Sequence, residues 1–254
     1  MNVTFLGTGT SQGVPVIGCT CQSCLSEDKR DNRLRTSIHI EIDGVSLVVD
    51  TGPDFRFQML RAGIHKLDAI LITHEHNDHV IGLDDIRAFN YIQRKDMPLY
   101  ATEKVILELK SRFSYVFHEN KYPGVPRVKP HPISAGVAFN INGIDIIPIE
   151  VLHGRLPVLG FRIKNFTYIT DAKTISTVSQ ELIAGTEVLV LNALRFEEHH
   201  SHFSIEQAIE MAKKLGVKQT YFTHISHRMG LCSDWERNLP KGINAAYDGL
   251  TIDI

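Results

Sequence analysis

The sequence has no apolar run long enough to span a membrane and no excess of positive charge. A spanning helix needs about 20 consecutive apolar residues, and no stretch of the 254 residues approaches that length. The formal net charge is −2, so the basic field with which dedicated nucleic-acid-binding proteins hold their ligand is missing. We therefore expect neither a membrane protein nor a stable complex with DNA or RNA. The charge does not exclude a small anionic substrate.

The sequence also has little of what a secreted protein needs. The opening MNVTFLGTG has no charged segment followed by a long apolar one, so we expect a cytoplasmic protein. The four cysteines are badly spaced for disulfides, because Cys19, Cys21 and Cys24 fall within six residues and only Cys232 lies elsewhere. That spacing is typical of a metal site.

The order of apolar patterns predicts the fold. Hydrophobic residues make up 43% of the chain and charged residues 22%, as in soluble globular proteins. Strand-like segments begin each half, one of them a hairpin that turns at Asp43 and Gly44, and strand–helix alternation ends each half. Because no linker divides it, the chain is predicted to form one α/β domain over residues 1–254. Its expected architecture is a four-layer αββα sandwich of two mixed sheets with helices outside.

One stretch is rich in residues that break regular structure. Residues 118–136 contain Pro123, Pro126, Pro130 and Pro132, and we expect an ordered loop or a short irregular insertion there. A lid over the functional site is a second interpretation, which the sequence leaves open.

Metal-binding side chains are concentrated in THEHNDH, residues 73–79, directly after the apolar run LDAILI. Predicted strands end in further donors, and the strand-end residues are His74, His153, Asp171 and His224. Because loops at strand ends converge on one rim, we expect these side chains to meet. Imidazole and carboxylate groups together suit zinc, manganese or iron. Four isolated histidines are not expected to bind metal: His39, His65, His118 and His131.

The THEHNDH motif resembles the highly specific HxHxDH signature of the metallo-β-lactamase superfamily. The resemblance implies a dinuclear site in which Asp171 bridges two divalent ions. The other ligands would be His74, His76 and His153 for one ion and Asp78, His79 and His224 for the second. Asp50, in VVDTG, resembles the aspartate that orients ligands from behind the metals. Glu75 and Asn77 fill variable positions and are expected to support the ligands or to be exposed.

Two metal ions about 3.5–4 Å apart can hold a hydroxide and both oxygens of an in-line displacement. A bound cation can bring the pKa of its water to about 7, so a metal-bound hydroxide is the expected nucleophile at neutral pH. Hydrolysis is therefore the expected reaction class.

The segment GCTCQSC supplies Cys19, Cys21 and Cys24, three of the four ligands that tetrahedral zinc requires. The fourth is His227 or Cys232. His227 is favoured because it lies three residues after His224, so that one loop could serve both sites. Such a site leaves no open position for water, which indicates a structural zinc.

The succession of GTGTSQGVP, the cysteine cluster and NRLRTS is similar to the PhnP-like branch of this superfamily. Its namesake is a phosphoribosyl 1,2-cyclic phosphodiesterase with a structural zinc beside a dinuclear site. The resemblance covers essentially the whole chain. It implies a metal-dependent phosphodiesterase for a small, cyclic ribose phosphodiester, with two catalytic ions of manganese or zinc, and it suggests a homodimer. By themselves, Gly7, Gly9 and Gly13 predict only a tight strand-to-loop turn.

The segment HFSIEQA precedes a helix that Ser204 is expected to cap. It resembles a motif of the tRNase Z branch, in which a histidine protonates the departing ribose oxygen. By this resemblance His202 is the general acid and His199 helps to orient the phosphate, whereas His200 faces solvent. Asp78 matches the aspartate that phosphodiesterase branches carry at its position. Three cations either meet a phosphate or form structural ion pairs, and these are Arg195, Arg155 and Lys173.

Three other functions compete with this interpretation. A tRNase Z-like nuclease that processes RNA 3′ ends would carry a long, basic, glycine-rich arm, and the sequence shows none. A thioester, lactone or β-lactam hydrolase on the same fold has less need of an additional histidine acid and does not explain the cysteines. A zinc-binding scaffold without catalysis is disfavoured because every expected ligand is present.

Overall fold

The computed structural model describes residues 1–118 and 122–254, and the strands in these ranges form two seven-stranded sheets. In chain order the strands are β1 (Asn2–Gly7), β2 (Ser37–Ile42), β3 (Val45–Val49), β4 (Ala69–Leu71), β5 (Met97–Ala101), β6 (Val128–Pro132), β7 (Phe139–Ile141), β8 (Ile144–His153), β9 (Leu156–Ile163), β10 (Phe166–Tyr168), β11 (Val188–Asn192), β12 (Gln219–Thr223), β13 (Ile243–Ala245) and β14 (Thr251–Asp253). The first sheet has the order β14-β1-β2-β3-β4-β5-β6, and the second has the order β13-β12-β11-β10-β9-β8-β7.

Each sheet has an antiparallel half and a parallel half. In the first sheet β14, β1, β2 and β3 pair antiparallel, and β3 to β6 pair parallel. In the second, β7 to β10 pair antiparallel and β10 to β13 pair parallel. The parallel halves correspond to the strand–helix alternation of the sequence, because parallel strands need a crossover connection. The prediction of two mixed sheets is confirmed.

Helices cover the outer faces of both sheets. In chain order they are α1 (Phe55–Ala62), α2 (Asn77–Val80), α3 (Arg87–Gln93), α4 (Glu103–Arg112), α5 (Ser114–Phe117), α6 (Thr177–Ile183), α7 (Ile205–Leu215) and α8 (Cys232–Trp235). Short 3-10 segments lie at Lys29–Asp31, Ile81–Ile86, His227–Met229 and Glu236–Asn238. None of the helices in the described ranges combines the length and the apolarity needed to cross a bilayer.

A buried cluster joins the two sheets face to face. It includes Phe5 and Ile40 from the first sheet and Phe161, Phe166 and Tyr168 from the second, none of which is exposed. Burying one such side chain contributes about 1.5–3 kcal/mol. A second cluster lies between the first sheet and α1, α3 and α4, and a third lies between the second sheet and α6 and α7. The resulting order of helix, sheet, sheet and helix is the predicted αββα sandwich.

The start of α7 shows how local sequence fixes a helix end beside the candidate site. The Ser204 hydroxyl accepts a hydrogen bond from the Gln207 N–H, and the Gln207 side chain accepts one from the Ser204 N–H. This capping box satisfies two backbone donors that the helix itself leaves unpaired. The expected capping role of Ser204 is confirmed.

The proline-rich stretch contains a strand, so the prediction of a loop or irregular insertion over residues 118–136 was wrong for Val128–Pro132. This segment is β6, the parallel edge strand next to β5. The Arg127 carbonyl accepts from Met97 and the Ile133 N–H donates to Ala101. The odd-numbered positions therefore bond to β5, and Pro130 faces the open edge, where a missing N–H costs nothing. Part of the lid interpretation falls on residues 119–121, which lie outside the described ranges.

The glycines of GTGTSQGVP allow close backbone contacts as well as a turn. Gly13 forms the turn, with a φ of 67° and an N–H that donates to the Thr10 carbonyl at 2.8 Å. Gly7 has no room for a side chain, since an added Cβ would lie 1.9 Å from the Arg35 carbonyl oxygen. The opening motif thus holds β1 tightly against the start of β2.

Replacement of Gly7 by alanine should therefore destabilise the fold. The added methyl group would clash with backbone atoms, which cannot move aside as a flexible side chain can. We therefore expect a loss of about 1–3 kcal/mol in the free energy of unfolding. Denaturant unfolding monitored by circular dichroism measures it. The exposed Ser11→Ala variant is the control and should stay within about 0.5 kcal/mol of the parent. An equally small change in both variants would contradict the close-contact interpretation.

Candidate metal centre

The candidate site lies where strands from both sheets end. Residues 73–79, called the metal loop below, follow β4 of the first sheet. His153 is the last residue of β8, and Asp171 and His224 follow β10 and β12 of the second sheet. The Leu159 N–H donates to the Thr73 carbonyl at 3.0 Å, which fixes one sheet to the other beside the site.

Three site residues turn sharply out of their strands. Asp50, Asp171 and His224 have φ angles of 66°, 57° and 56°. The left-handed conformation is uncommon for residues with a side chain, and residues held in it cluster at functional sites. All three side chains are buried.

One group of donors consists of Asp78, His79, Asp171 and His224, whose ligand atoms all lie within 4.8 Å of one another. The His79 Nε2 atom is 3.3 Å from an Asp78 oxygen and 3.5 Å from Asp171 Oδ1. The His224 Nε2 atom is 3.3 Å from the same Asp171 oxygen. Two imidazoles and two carboxylates thus surround a single point, as a metal ion requires.

A second group lies on the other side of the Asp171 carboxylate. The His74 Nε2 atom is 3.9 Å from Asp171 Oδ2, which is the oxygen that does not face His79 and His224. His74 Nε2 and His76 Nδ1 are 2.9 Å apart, and the ring centroids of His76 and His153 are 5.3 Å apart. Asp171 therefore presents one oxygen to each group of histidines, which is the geometry that a bridging carboxylate needs.

Hydrogen bonds behind the site fix the orientation of the imidazoles. His79 Nδ1 donates to the Asp50 carboxylate at 2.7 Å. The Thr73 hydroxyl also donates to Asp50, at 2.8 Å, and accepts from His74 Nδ1 at 3.0 Å. His153 Nδ1 donates to the Ser201 carbonyl at 2.8 Å. In each of these histidines the bonded nitrogen faces away from the site, so Nε2 carries the free lone pair.

Sequence reasoning predicted Asp50 but missed Thr73 and Ser201. Thr73 directly precedes the first histidine of the metal loop, and this adjacency was the available signal. Ser201 contacts His153 through its backbone carbonyl, so its residue type could not have indicated this role. It reaches His153 across 48 positions of sequence separation.

The donor set fits divalent metal ions. The buried atoms His79 Nε2 and both ring nitrogens of His224 have no hydrogen-bond partner among the described residues. Burial opposes ionisation of Asp171, but the charges of His224 and His79 outweigh it and hold the pKa of Asp171 well below its usual range. Burial, reinforced by the charge of His79, lowers the pKa of His74 well below its usual value. Burial opposes protonation of His79, but the charges of Asp171, Asp78 and Asp50 outweigh it and hold the pKa of His79 well above its usual value. A bound divalent cation would take the place of that proton.

His202 lies closer to the candidate ligands than the sequence suggested. Its ring centroid is 4.4 Å from that of His153 and 4.7 Å from that of His224. It also forms a third potential ligand group with His153 and Asp171. Burial, followed by the charge of His224, lowers the pKa of His202 to about 2. The ring is therefore neutral at physiological pH.

The other predicted substrate contacts have partners of their own. His199 accepts from the Ser201 hydroxyl at 3.2 Å, and its ring lies 5.2 Å from that of His202. Lys173 donates to the Gln207 side chain at 2.8 Å, and Arg195 lies 3.6 Å from the Glu197 carboxylate. His200 is exposed, as predicted, and Arg155 is exposed as well.

The cysteine cluster forms a separate site. The ligand atoms of Cys19, Cys21, Cys24 and His227 lie within 4.8 Å of one another. The His227 Nδ1 atom is 3.2 Å from the Cys19 sulfur and 3.4 Å from the Cys21 sulfur. Cys232 is buried in a different place, among the apolar residues between the second sheet and its helices. Of the two candidates for the fourth position, the structure brings His227 to the thiols.

The pKa values of two thiols in this site are shifted in opposite directions. Burial acts against ionisation of Cys21, but hydrogen bonds from the Cys24 backbone and from His227 lower its pKa to about 6. Burial raises the pKa of Cys24 to about 11. One thiolate is therefore present at neutral pH, and a bound metal ion would deprotonate the remaining thiols.

Comparisons with known proteins agree with this geometry. The family described as "Beta-lactamase superfamily domain" matches residues 46–225. A crystal structure of a diphosphatase from the PhnP family has a TM-score of 0.93 and 41% identity, covering 100% of this chain and 97% of that one. A ribonuclease Z of Mycobacterium sp. (strain KMS) is 26% identical, covering 88% of this chain and 84% of its own length.

A third relative is named for a different chemistry. An octanoyltransferase of Porphyromonas gingivalis is 41% identical over 98% of this chain. This chain spans only 51% of that protein's length, so about half of the octanoyltransferase has no counterpart here.

The fold and the site define the class of the metal-dependent hydrolases with two sheets between layers of helices. The chain belongs to the metallo-β-lactamase superfamily. Its likeness to a PhnP-family enzyme over its full length confirms the branch that the sequence motifs indicated.

If the thiolate site holds zinc, Cys21→Ser should remove one zinc ion per chain and lower the midpoint of thermal unfolding. The reason is that serine offers no thiolate and leaves three ligands for a tetrahedral ion. Elemental analysis of the purified chain measures the zinc. Cys232→Ala is the control, and it should lose stability without losing zinc. A Cys21→Ser chain with its full zinc content would disprove the assignment.

Proposed function

We propose that this chain is a metal-dependent phosphodiesterase whose substrate is small and compact, a cyclic ribose phosphate being favoured. The observation that carries the proposal is the Asp171 carboxylate, which faces His79 and His224 with one oxygen and His74 with the other. This arrangement supports two ions side by side, with His74, His76 and His153 on one and Asp78, His79 and His224 on the other. We assign zinc to the thiolate site and manganese or zinc to the dinuclear one.

The reaction is the addition of water across a P–O bond. The two groups of ligands around Asp171 would hold a pair of divalent ions, which would supply a nucleophile at neutral pH and neutralise charge on the transferring phosphoryl group. Asp50, Thr73 and the Ser201 carbonyl hold the ligand imidazoles so that little reorganisation accompanies the reaction. The oxygen of water joins phosphorus, the bond to the ribose oxygen breaks, and that oxygen must receive a proton.

His202 is the proposed donor of that proton. Its ring lies between those of His153 and His224, and its Nδ1 atom is buried without a partner among the described residues. The negative charge of a bound phosphodiester would raise the depressed pKa of His202 and place a proton beside the leaving oxygen. His199, next to His202, is proposed to orient the phosphate.

An RNA 3′-processing nuclease is the second candidate. The likeness to a ribonuclease Z supports it, and the chemistry at phosphorus would be the same. The net charge of −2 and the lack of a basic, glycine-rich arm in the sequence weigh against a tight grip on RNA. The diphosphatase likeness favours a small substrate instead.

If His202 is the acid, His202→Ala should slow a substrate with an alkoxide leaving group by about 10²–10⁴-fold. A nitrophenyl ester should be slowed far less, because nitrophenolate leaves without protonation. Steady-state kinetics on both esters measure the difference, with the exposed His200→Ala as the control. Equal losses on both esters, together with a lower metal content, would mean that His202 is a ligand.

A substrate comparison tests the reaction class. The chain, loaded with manganese or with zinc, is offered a ribose 1,2-cyclic phosphate, 2′,3′-cyclic nucleotides, an organic diphosphate and a precursor tRNA. We expect rapid opening of a cyclic phosphate, because a compact phosphodiester suits a site without an RNA-binding arm, and phosphorus NMR and gels report the products. Cleavage of the tRNA alone would favour the nuclease. Inertness toward all four with metals bound would refute a phosphodiesterase and direct attention to thioesters and lactones.

A further inference from the structure

The metal loop is held from its outer side by α4, a helix with no predicted part in the site. This helix packs on the first sheet through Val105, Ile106 and Leu109. Its polar side carries Lys104 near one end and Arg112 at the other. Both cations reach the metal loop.

The contacts fall on the two loop residues that alternate with the ligands. The Arg112 guanidinium donates from Nη1 to the Glu75 carbonyl and to the Asn77 side-chain oxygen, the latter at 2.8 Å. The Lys104 ammonium donates to the Glu75 carboxylate at 2.8 Å. The Glu75 side chain is only 12% exposed. The variable positions of the motif are therefore the points at which the helix holds the loop.

These contacts constrain the positions of three proposed ligands. Glu75 lies between His74 and His76, and Asn77 lies between His76 and Asp78. A donor that ties the carbonyl of one position to the side chain two residues later fixes the backbone that runs through His76. Asp50 and Thr73 hold His74 and His79 from inside the molecule, whereas the contacts of the His76 and Asp78 side chains are to other candidate ligands.

We infer that Arg112, assisted by Lys104, is a positioning residue that sets the metal affinity of the dinuclear site. The inference rests on the proposed function only in requiring that the site bind divalent ions. Partners behind metal ligands change affinity by about 10–100-fold when they are removed. The role of Arg112 is of this kind, acting through the loop and without contact to the ion.

Electrostatics predict the opposite sign, which makes the inference easy to test. A guanidinium near a divalent cation repels it, so removal of the charge alone should tighten metal binding. Loss of positioning should weaken binding. A measured affinity therefore separates the two effects by direction and not only by size.

The experiment is a titration of the chain with Mn²⁺, in which electron paramagnetic resonance reports the free ion. Manganese is chosen because thiolates prefer zinc, so the cysteine site does not contribute. We expect Arg112→Ala to raise the dissociation constant for Mn²⁺ by about 10–100-fold and Lys104→Ala to raise it less. Arg112→Lys, which keeps a cationic donor, should recover part of the affinity.

Two controls accompany this titration. Lys110→Ala removes an exposed positive charge from the same helix without touching the loop, and it should leave the dissociation constant within about twofold of wild type, since exposed charges interact weakly across solvent. Asn77→Ala removes one acceptor on the loop side and changes no charge, so it tests the contact even if Arg112→Ala folds poorly. It should also weaken binding of Mn²⁺.

Wild-type or tighter affinity in Arg112→Ala and Asn77→Ala would overturn the inference. So would a fall in the thermal midpoint of the metal-free chain large enough to account for the weaker binding, since that would show a role in the fold. Failure of the wild-type chain to bind Mn²⁺ or Zn²⁺ outside the cysteine site would overturn the proposed function and this inference together. Normal binding by wild type, with no change in the variants, would refute only the positioning role.

Discussion

The hydrogen bonds of the Asp50 carboxylate, which is fully buried, hold the site together. This carboxylate accepts from the Thr73 N–H and hydroxyl at 2.8 Å and from His79 Nδ1 at 2.7 Å. The same hydroxyl accepts from His74 Nδ1. One buried carboxyl group therefore sets the tautomer and the direction of two proposed ligands on the metal loop. Since ordering a free side chain costs entropy, an orientation that is fixed before the ion arrives favours binding.

The sandwich makes this network possible because it brings strand ends from both sheets to one edge. The apolar cluster between the sheets, with Phe161 and Tyr168 at zero exposure, fixes their distance. The hydrogen bond from the Leu159 N–H to the Thr73 carbonyl fixes the position of one sheet relative to the other at the site. Ligands from β4, β8, β10 and β12 can then meet although they lie far apart in sequence. A rigid scaffold with functional groups on the loops at its rim is a general way of building such sites.

The two proposed metal sites share one stretch of backbone. His224 faces Asp171 in the candidate metal centre, and His227 faces the thiols. Between them, Ile225 donates to the Thr8 carbonyl and accepts from the Thr10 N–H, so the loop is bound to the segment that leads to the cysteines.

The sequence alone determined the layers, the mixed sheets and the donor types, because apolar periodicity and the THEHNDH spacing are local properties of the chain. It also indicated Asp50 and the preference for His227, which follows His224 by three residues. Only the tertiary structure decided that Val128–Pro132 is an edge strand, because the edge of a sheet is defined by which strand has no further neighbour. Only the tertiary structure also showed that His202 lies next to His153 and that Arg112 forms hydrogen bonds with the metal loop. These contacts join residues 35 or more positions apart, and packing of whole elements, not local sequence, brings such residues together.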